Sequence, residues 1–467
     1  MSFIHDIRNS SRSVVVVALS AVALGITYGY DISNIAGALL FLETDLGLSS
    51  GELAGLATAV VVGQIVGALN GGWISNAIGR KLSMQLIAIG YVGFSVLCAI
   101  APEYASLLAA RFGLGITIGI SLIVVPVFIA ESSPTRVRGG LMVAYQVTTV
   151  AGIIAGYLVA WLLAATESWR AILGMAAVPA ALVFFLLLRV VETPHWYLLK
   201  GRVRAARASL ERINPGHDPQ PLIARIEADL QQETGRLRDM FRGHLLRASV
   251  FAIGLGFFIQ ITGINATIYY SPHIFADLGF SGHAALLGLP AIVQFCALLA
   301  VIVSMFVVDN AGRRPVLLTG VGTMIVANTV LVAVFALSDG FGGWTSVVGF
   351  AAIVLFTMGY TFGFGALVWV YAGETFPAKY RALGASLMLT ANLTANAIVA
   401  QAFPPLLESV GGAGVFGIFG ALAAIAFVFI WFLAPETKDR DLDEIARYWA
   451  NGARWDVPSI TPDRTAR

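Results

Sequence analysis

Charge is scarce in this 467-residue chain. Asp, Glu, Lys and Arg make up only 12% of it, hydrophobic residues 58%, and mean hydropathy is +0.81. A water-soluble domain cannot hide that much apolar surface, so soluble classes, nucleic-acid binders among them, are excluded. Cysteine is nearly absent. Cys98 and Cys296 both fall in apolar runs, which excludes a disulfide framework and points to burial as small hydrophobes. The six His form no metal-spaced pair, and there is no HExxH and no Walker A loop. An intramembrane metalloenzyme therefore lacks support, no cofactor is implied, and ATP drive would need another subunit. Gly47-Leu48-Ser49-Ser50-Gly51 fits GxSxG but lacks the strand-turn-helix context of a nucleophile elbow. No small-residue cleavage site punctuates the first apolar run, which is too long for a signal peptide and serves as the first span.

Long apolar runs are what the chain does have. Spans are expected at roughly 14–38, 52–75, 82–101, 105–130, 139–164 and 169–190, then 247–277, 284–308, 314–337, 344–371, 379–405 and 412–434. Each can cross, since about 20 apolar residues at 1.5 Å apiece traverse the hydrocarbon core. The expected fold is an all-α membrane protein with twelve transmembrane helices in two six-helix halves. Its parts are an N-terminal half (1–190), a cytoplasmic linker with short helices (191–246), a C-terminal half (247–434) and a cytoplasmic tail (435–467). With twelve spans, 27 of the 29 Lys and Arg lie on one side; Arg111 and Arg170 are the exceptions. That side is the cytoplasm by the positive-inside rule, which places both termini there in a multi-pass protein of the cytoplasmic membrane. The linker is too short and too poor in apolar residues for a core of its own, so its helices are expected to lie against the bundle.

The halves repeat the same marks in the same order. Asn76-Ala77-Ile78-Gly79-Arg80-Lys81 follows the second span, and Asp309-Asn310-Ala311-Gly312-Arg313-Arg314 follows the eighth. Glu131 closes the fourth span with Arg138 seven residues later; Glu374 closes the tenth with Arg381 seven later. Glu192-Thr193 ends the sixth and Glu436-Thr437 the twelfth. Duplicated halves are how secondary transporters build a midplane site that one half can rock around. Arg80, Glu131, Arg138, Glu192, Arg313, Glu374, Arg381 and Glu436 are thus the expected gating set. Arginine at helix ends can meet helix carbonyls and neighbouring acids, and could hold the cytoplasmic ends of the halves together.

One carboxylate lies within the first run, in Gly29-Tyr30-Asp31. An ionised group there is costly and normally faces a cavity or a partner. Arg111 is the candidate partner, since no other Lys or Arg lies so far inside a span. Counted from helix ends, Asp31 lies about 12 Å and Arg111 about 9 Å below the outer surface. Burial and a nearby cation act on a carboxyl in opposite senses, so a movement that altered either could load and unload a proton.

Together these marks resemble the sugar porter family of the major facilitator superfamily across nearly the whole chain. The carriers are Gly29-Tyr30-Asp31, Gly79-Arg80-Lys81, Arg111 with Pro126 to Glu131 and Arg138-Gly139, and Glu192-Thr193-Pro194-His195-Trp196. Gln260 with Gly263-Ile264-Asn265, Tyr269-Tyr270-Ser271-Pro272, Asp309 with Gly312-Arg313-Arg314, Glu374-Thr375-Phe376-Pro377 and Pro435-Glu436-Thr437-Lys438 complete them. The resemblance implies sugar transport, pairs Asp31 with Arg111, and makes the acid the mark of proton-coupled members. A sugar asks for amides that donate and accept, and for an aromatic face. Gln146, Gln260, Asn265, Trp369 and Asn396 match family ligand positions, and Tyr28 stands where the family has Phe. Tyr269 and Asn392 are further candidates in the spans. Asn76, His195, Ile259, Ala366, Ala382 and Asn392-Leu393 depart from the family pattern. The expected function is import of a hexose or pentose by proton symport with alternating access, the chain acting as a monomer in the bilayer. The alternatives are a passive sugar or polyol facilitator, or a proton-coupled carrier of inositol or another polar solute. A transporter-like sensor is disfavoured by the short tail, which has no signalling module.

Overall fold

The computed structural model describes residues 11–231, 235–243, 245–337 and 342–455. Every regular element among them is a helix. Six spans form the first half: Arg12–Asp45, Ser50–Ile78, Arg80–Ile100, Tyr104–Ser132, Thr135–Leu162 and Trp169–Leu187, the sixth interrupted between Gly174 and Ala177. The seventh is broken into Leu245–Ile261, Ile264–Tyr269 and Ser271–Asp277. His283–Ala311 and Arg313–Leu337 are the eighth and ninth. The tenth runs through Trp344–Tyr360, a π-helical segment Thr361–Gly365, and Ala366–Glu374.

A single 53-residue helix, Arg381–Leu433, supplies the last two crossings. It would be about 80 Å long if straight, far more than one bilayer. Pro404 and Pro405 lie inside it, and Gly411 has non-helical angles (φ 67°, ψ 177°), so the chain reverses there. Twelve crossings result. Four short helices, Pro194–Leu199, Val203–Ile213, Gln220–Gln231 and Leu237–Met240, join the sixth span to the seventh. They differ from expectation in one respect: Leu198, Ala206, Leu210 and Ile223 form a small buried cluster of their own.

Small residues set how closely the helices approach. A Cβ at Gly29 would fall 1.8 Å from the Thr149 carbonyl oxygen, so the first and fifth spans touch backbone to backbone. Across the halves, the second span packs on the long Arg381–Leu433 helix, the fifth on the eighth, and the first on the seventh. On the face opposite the basic loops these contacts merge into one apolar cluster. It takes Ile35, Leu39 and Leu42 from the first half and Tyr270, Phe275, Leu287 and Phe416 from the second. Polar contacts join the halves there as well. The Tyr157 hydroxyl donates to the Ile268 carbonyl at 2.6 Å, His273 meets Glu43 at 3.4 Å, and His283 meets Glu167 at 3.4 Å.

Candidate transport site

Asp31 and Arg111 come together as expected, although not by the depths expected of them. The first helix continues to Asp45, so Asp31 lies fourteen residues, about 21 Å, from its end, while Arg111 is seven residues into the fourth span. Glu43 and Asp45 mark no loop. The last turns of the first helix project past the start of the fourth, where Asp45 accepts from Trp169 Nε1 at 2.7 Å and from Arg170 at 3.2 Å. Arg111 Nη1 donates to Asp31 Oδ1 at 3.4 Å, and its Nε donates to the Leu56 carbonyl at 3.5 Å. Both side chains are buried, Asp31 being 3% and Arg111 2% exposed. A buried pair with few hydrogen bonds is weak evidence for stability and fits a site that changes state.

An amide–amide pair and an amide–phenol pair link the seventh and eleventh spans. Gln260 Nε2 donates to Asn392 Oδ1 at 3.4 Å, and Asn396 Nδ2 donates to the Tyr269 hydroxyl at 3.4 Å. Gln260 Oε1 and Asn396 Oδ1 are buried acceptors with no donor, the kind of atom a polyhydroxyl solute can satisfy. Tyr28 lies within electrostatic range of Tyr269, Tyr145, Tyr360 and Asp31, which joins the first, fifth, seventh and tenth spans. Gln146 and Asn265 are half-buried. Trp369 stands apart at 41% exposed, and makes no hydrogen bond or ring contact among the described residues.

The duplicated marks on the basic face fold into duplicated clusters. Glu192 accepts from the backbone N–H of Arg80 and Lys81, each at 3.1 Å, so its carboxylate caps the third span. Glu436 accepts likewise from Arg313 at 3.0 Å and Arg314 at 3.1 Å, capping the ninth. This is why glycine precedes each arginine. Gly79 and Gly312 have φ +102° and +94°, and a Cβ would lie 2.3 Å and 2.6 Å from the capping carboxylate. Glu192 lies between spans; burial raises its carboxyl above the ordinary range, against the opposing pull of the amides of Thr193, Lys81 and Arg80.

Arg80 grips Glu131 through two nitrogens at 3.0 Å, and Arg313 faces Glu374 at 4.0 Å. Threonine completes each cluster, a part the sequence reading missed although the Glu-Thr dipeptide stood in both repeats. Thr193 donates to Glu131 at 2.7 Å and Thr437 to Glu374 at 2.6 Å. Arg138 donates to the Ser133 carbonyl at the end of the fourth span, a helix-carbonyl contact of the expected kind, and neither it nor Arg381 meets a carboxylate among the described residues. Each cluster also joins helices within its own half, so in this conformation these ion pairs do not tie one half to the other.

The family described as Sugar (and other) transporter matches residues 17–449. The arabinose-proton symporter of Escherichia coli (strain K12) is 32% identical over 455 residues, covering 95% of each chain. The probable polyol transporter 6 of Arabidopsis thaliana is 30% identical, covering 93% of this chain and 94% of its own. Among solved structures, the inward-open xylose transporter XylE from E. coli superposes with TM-score 0.80 at 24% identity, over 92% of this chain and 99% of that one. XylE bound to 6-bromo-6-deoxy-D-glucose superposes at 0.77 with 25% identity, over 94% and 99%. These relatives are transporters, not enzymes, and this chain, with its twelve crossings, its duplicated clusters and its buried Asp31–Arg111 pair, belongs to the sugar transporter family, a sugar porter of the major facilitator superfamily.

Proposed function

We propose that the protein imports a monosaccharide by proton symport, with both termini in the cytoplasm and the two halves rocking around a site between them. The observation that carries this is the buried Asp31–Arg111 pair, in electrostatic range of Tyr269, which itself binds Asn396. A proton carrier in the first half thereby adjoins the amide set of the second. Gln146, Gln260, Asn265, Asn392 and Asn396 offer donors and acceptors to sugar hydroxyls, Tyr28 and Tyr269 add phenol groups, and Trp369 supplies an aromatic face once it turns toward the cavity. The proton's part is to change the charge of Asp31, and with it the balance between states that differ in their affinity for sugar. The arabinose-proton symporter at 32% identity supports this reading.

A second reading, transport of a polyol, has its own support in the polyol transporters at 30% identity. A linear polyol uses the same amides and needs no flat ring face, so the two readings differ over Trp369. Uptake of labelled pentoses, hexoses, inositol and linear polyols into proteoliposomes, with and without an imposed pH gradient, tests both. Accumulation of a pentose or hexose that collapses without the gradient supports sugar symport. Uptake that ignores the gradient contradicts it, and a preference for linear polyols that survives Trp369→Ala selects the second reading.

A further inference from the structure

The third span carries an unused polar face at the level of Asp31. A Cβ on Gly90 would meet Thr117, and one on Gly113 would meet Phe94, so the third and fourth spans run antiparallel with residue 90 opposite 117 and 94 opposite 113. Ser95 therefore lies at the depth of Phe112 and Arg111. Tyr91, Ser95 and Cys98 share one face, at helical offsets of four and three, and are 2%, 1% and 1% exposed. Below, Tyr91 shares an apolar cluster with Leu24, Leu114 and Ile118; above, Cys98 shares one with Ile35, Ala38, Leu107 and Ala110. Asp31 and Arg111 fall between these two levels.

Polar atoms in this layer are sealed and unpaired. The Ser95 hydroxyl has no hydrogen-bond partner, and neither do the Asn34 side-chain oxygen and the Tyr30 hydroxyl; the Tyr91 hydroxyl has only Ser121 beside it. Asn34 is 1% exposed and one helical turn from Asp31 on the same helix. A buried unpaired polar group costs about 1–3 kcal/mol, and native interiors keep few of them. Three in one layer beside a proton carrier point to a use.

We propose that Ser95 and Tyr91, with the Asn34 oxygen, extend Asp31 into a water-bridged proton relay through the third span. The proposal rests on the symport reading. Hydroxyls suit this role because they donate to a carboxylate and accept from a carboxylic acid, and so serve both states of Asp31. Asn34 Oδ1 only accepts, which suits the neutral acid. A buried water needs two to four polar partners, and this layer supplies them. In the step itself, each hydroxyl or water oxygen of the relay takes a proton on a lone pair and passes its own onward, while the Asn34 oxygen only accepts a hydrogen bond and transfers nothing. The Asp31 carboxylate ends as a carboxylic acid, and the relay returns to its starting composition. The titratable and charged groups facing Asp31 are Arg111 from the fourth span, Tyr28 and Tyr30 from its own, Tyr91 and Cys98 from the third and Tyr269 from the seventh.

The test compares wild type, Ser95→Ala, Ser95→Thr and Tyr91→Phe in proteoliposomes by two assays. One is uptake of the transported sugar driven by a pH gradient; the other is sugar exchange at equal pH, which needs no net proton movement. Ser95→Ala and Tyr91→Phe should lower the gradient-driven rate about tenfold and shift its pH profile. Exchange should continue at the wild-type rate, and Ser95→Thr should restore uptake. Wild-type uptake and pH profile in both variants would overturn the relay, and so would parallel losses in both assays, which mark a packing role. A wild type that ignores the gradient would instead overturn the symport reading beneath it.

Discussion

The two basic-face clusters are built on one plan and differ in the contacts of one arginine. Each has a glutamate capping the helix that follows the Gly-Arg turn, with N–H to carboxylate distances of 3.0 to 3.1 Å in both halves. Each has a threonine donating to the second glutamate. The arginine differs. Arg80 holds Glu131 through two contacts at 3.0 Å with side chains 5% and 12% exposed, whereas Arg313 stands 4.0 Å from Glu374 with side chains 19% and 27% exposed. Arg313 also leans toward Asp309 at 3.8 Å, where the first half has Asn76. The capping carboxylates are thus the fixed part of the repeat, and the arginine-glutamate pair is the part whose tightness varies. On the proposed rocking mechanism, the arginine pairs, not the caps, are the contacts to test as a gate.

This contrast can be broken experimentally. The largest effect is expected from Arg80→Ala, which leaves Glu131 buried without its cation. Breaking a buried pair in this way costs about 3–5 kcal/mol, against about 1 kcal/mol or less for Arg313→Ala in its looser pair. Thermal unfolding in detergent should show a much lower midpoint for the first variant. Net transport should slow in both, while sugar binding from outside persists. Equal midpoints would make the contrast between the halves illusory.

Removing the caps should give a smaller and, above all, an equal loss. Glu192→Ala and Glu436→Ala each free two backbone N–H groups at a helix start, worth about 1–2 kcal/mol apiece. Midpoints that differ between them as widely as those of the arginine variants would show that the caps do not share one role. The smallest effect is expected from Asn76→Asp, which gives the first half the acid that Asp309 provides in the second. The Asp309 side chain is 78% exposed, so the gain should be within about 0.5 kcal/mol, and a larger shift would mean that this position enters the gate.

The sequence made the repeat readable because its marks are local: a glycine that must take positive φ, an arginine beside it, an acid at a span end. It could not say that Glu192 and Glu436 bind backbone amides, since that contact joins residues 112 and 123 positions apart. The helical stretch from Leu40 to Asp45 was also hidden. Glu43 and Asp45 look like loop residues until His273, Trp169 and Arg170 meet them from other spans. Of the amide candidates, Gln260 with Asn392 and Asn396 with Tyr269 are joined across two spans, as a shared cavity wall requires. Trp369 is a candidate by its motif alone, and a motif does not fix which way a ring on a tenth span broken at Thr361–Gly365 turns.

The Asp31→Asn variant probes the proposed symport most directly. It keeps the shape of the side chain and removes its titratable proton and its charge beside Arg111. In proteoliposomes it should bind sugar and exchange it downhill, yet fail to accumulate it against a gradient when the outside is acidified. Accumulation equal to that of wild type, or wild-type transport that never acidifies the vesicle interior, would contradict the symport account.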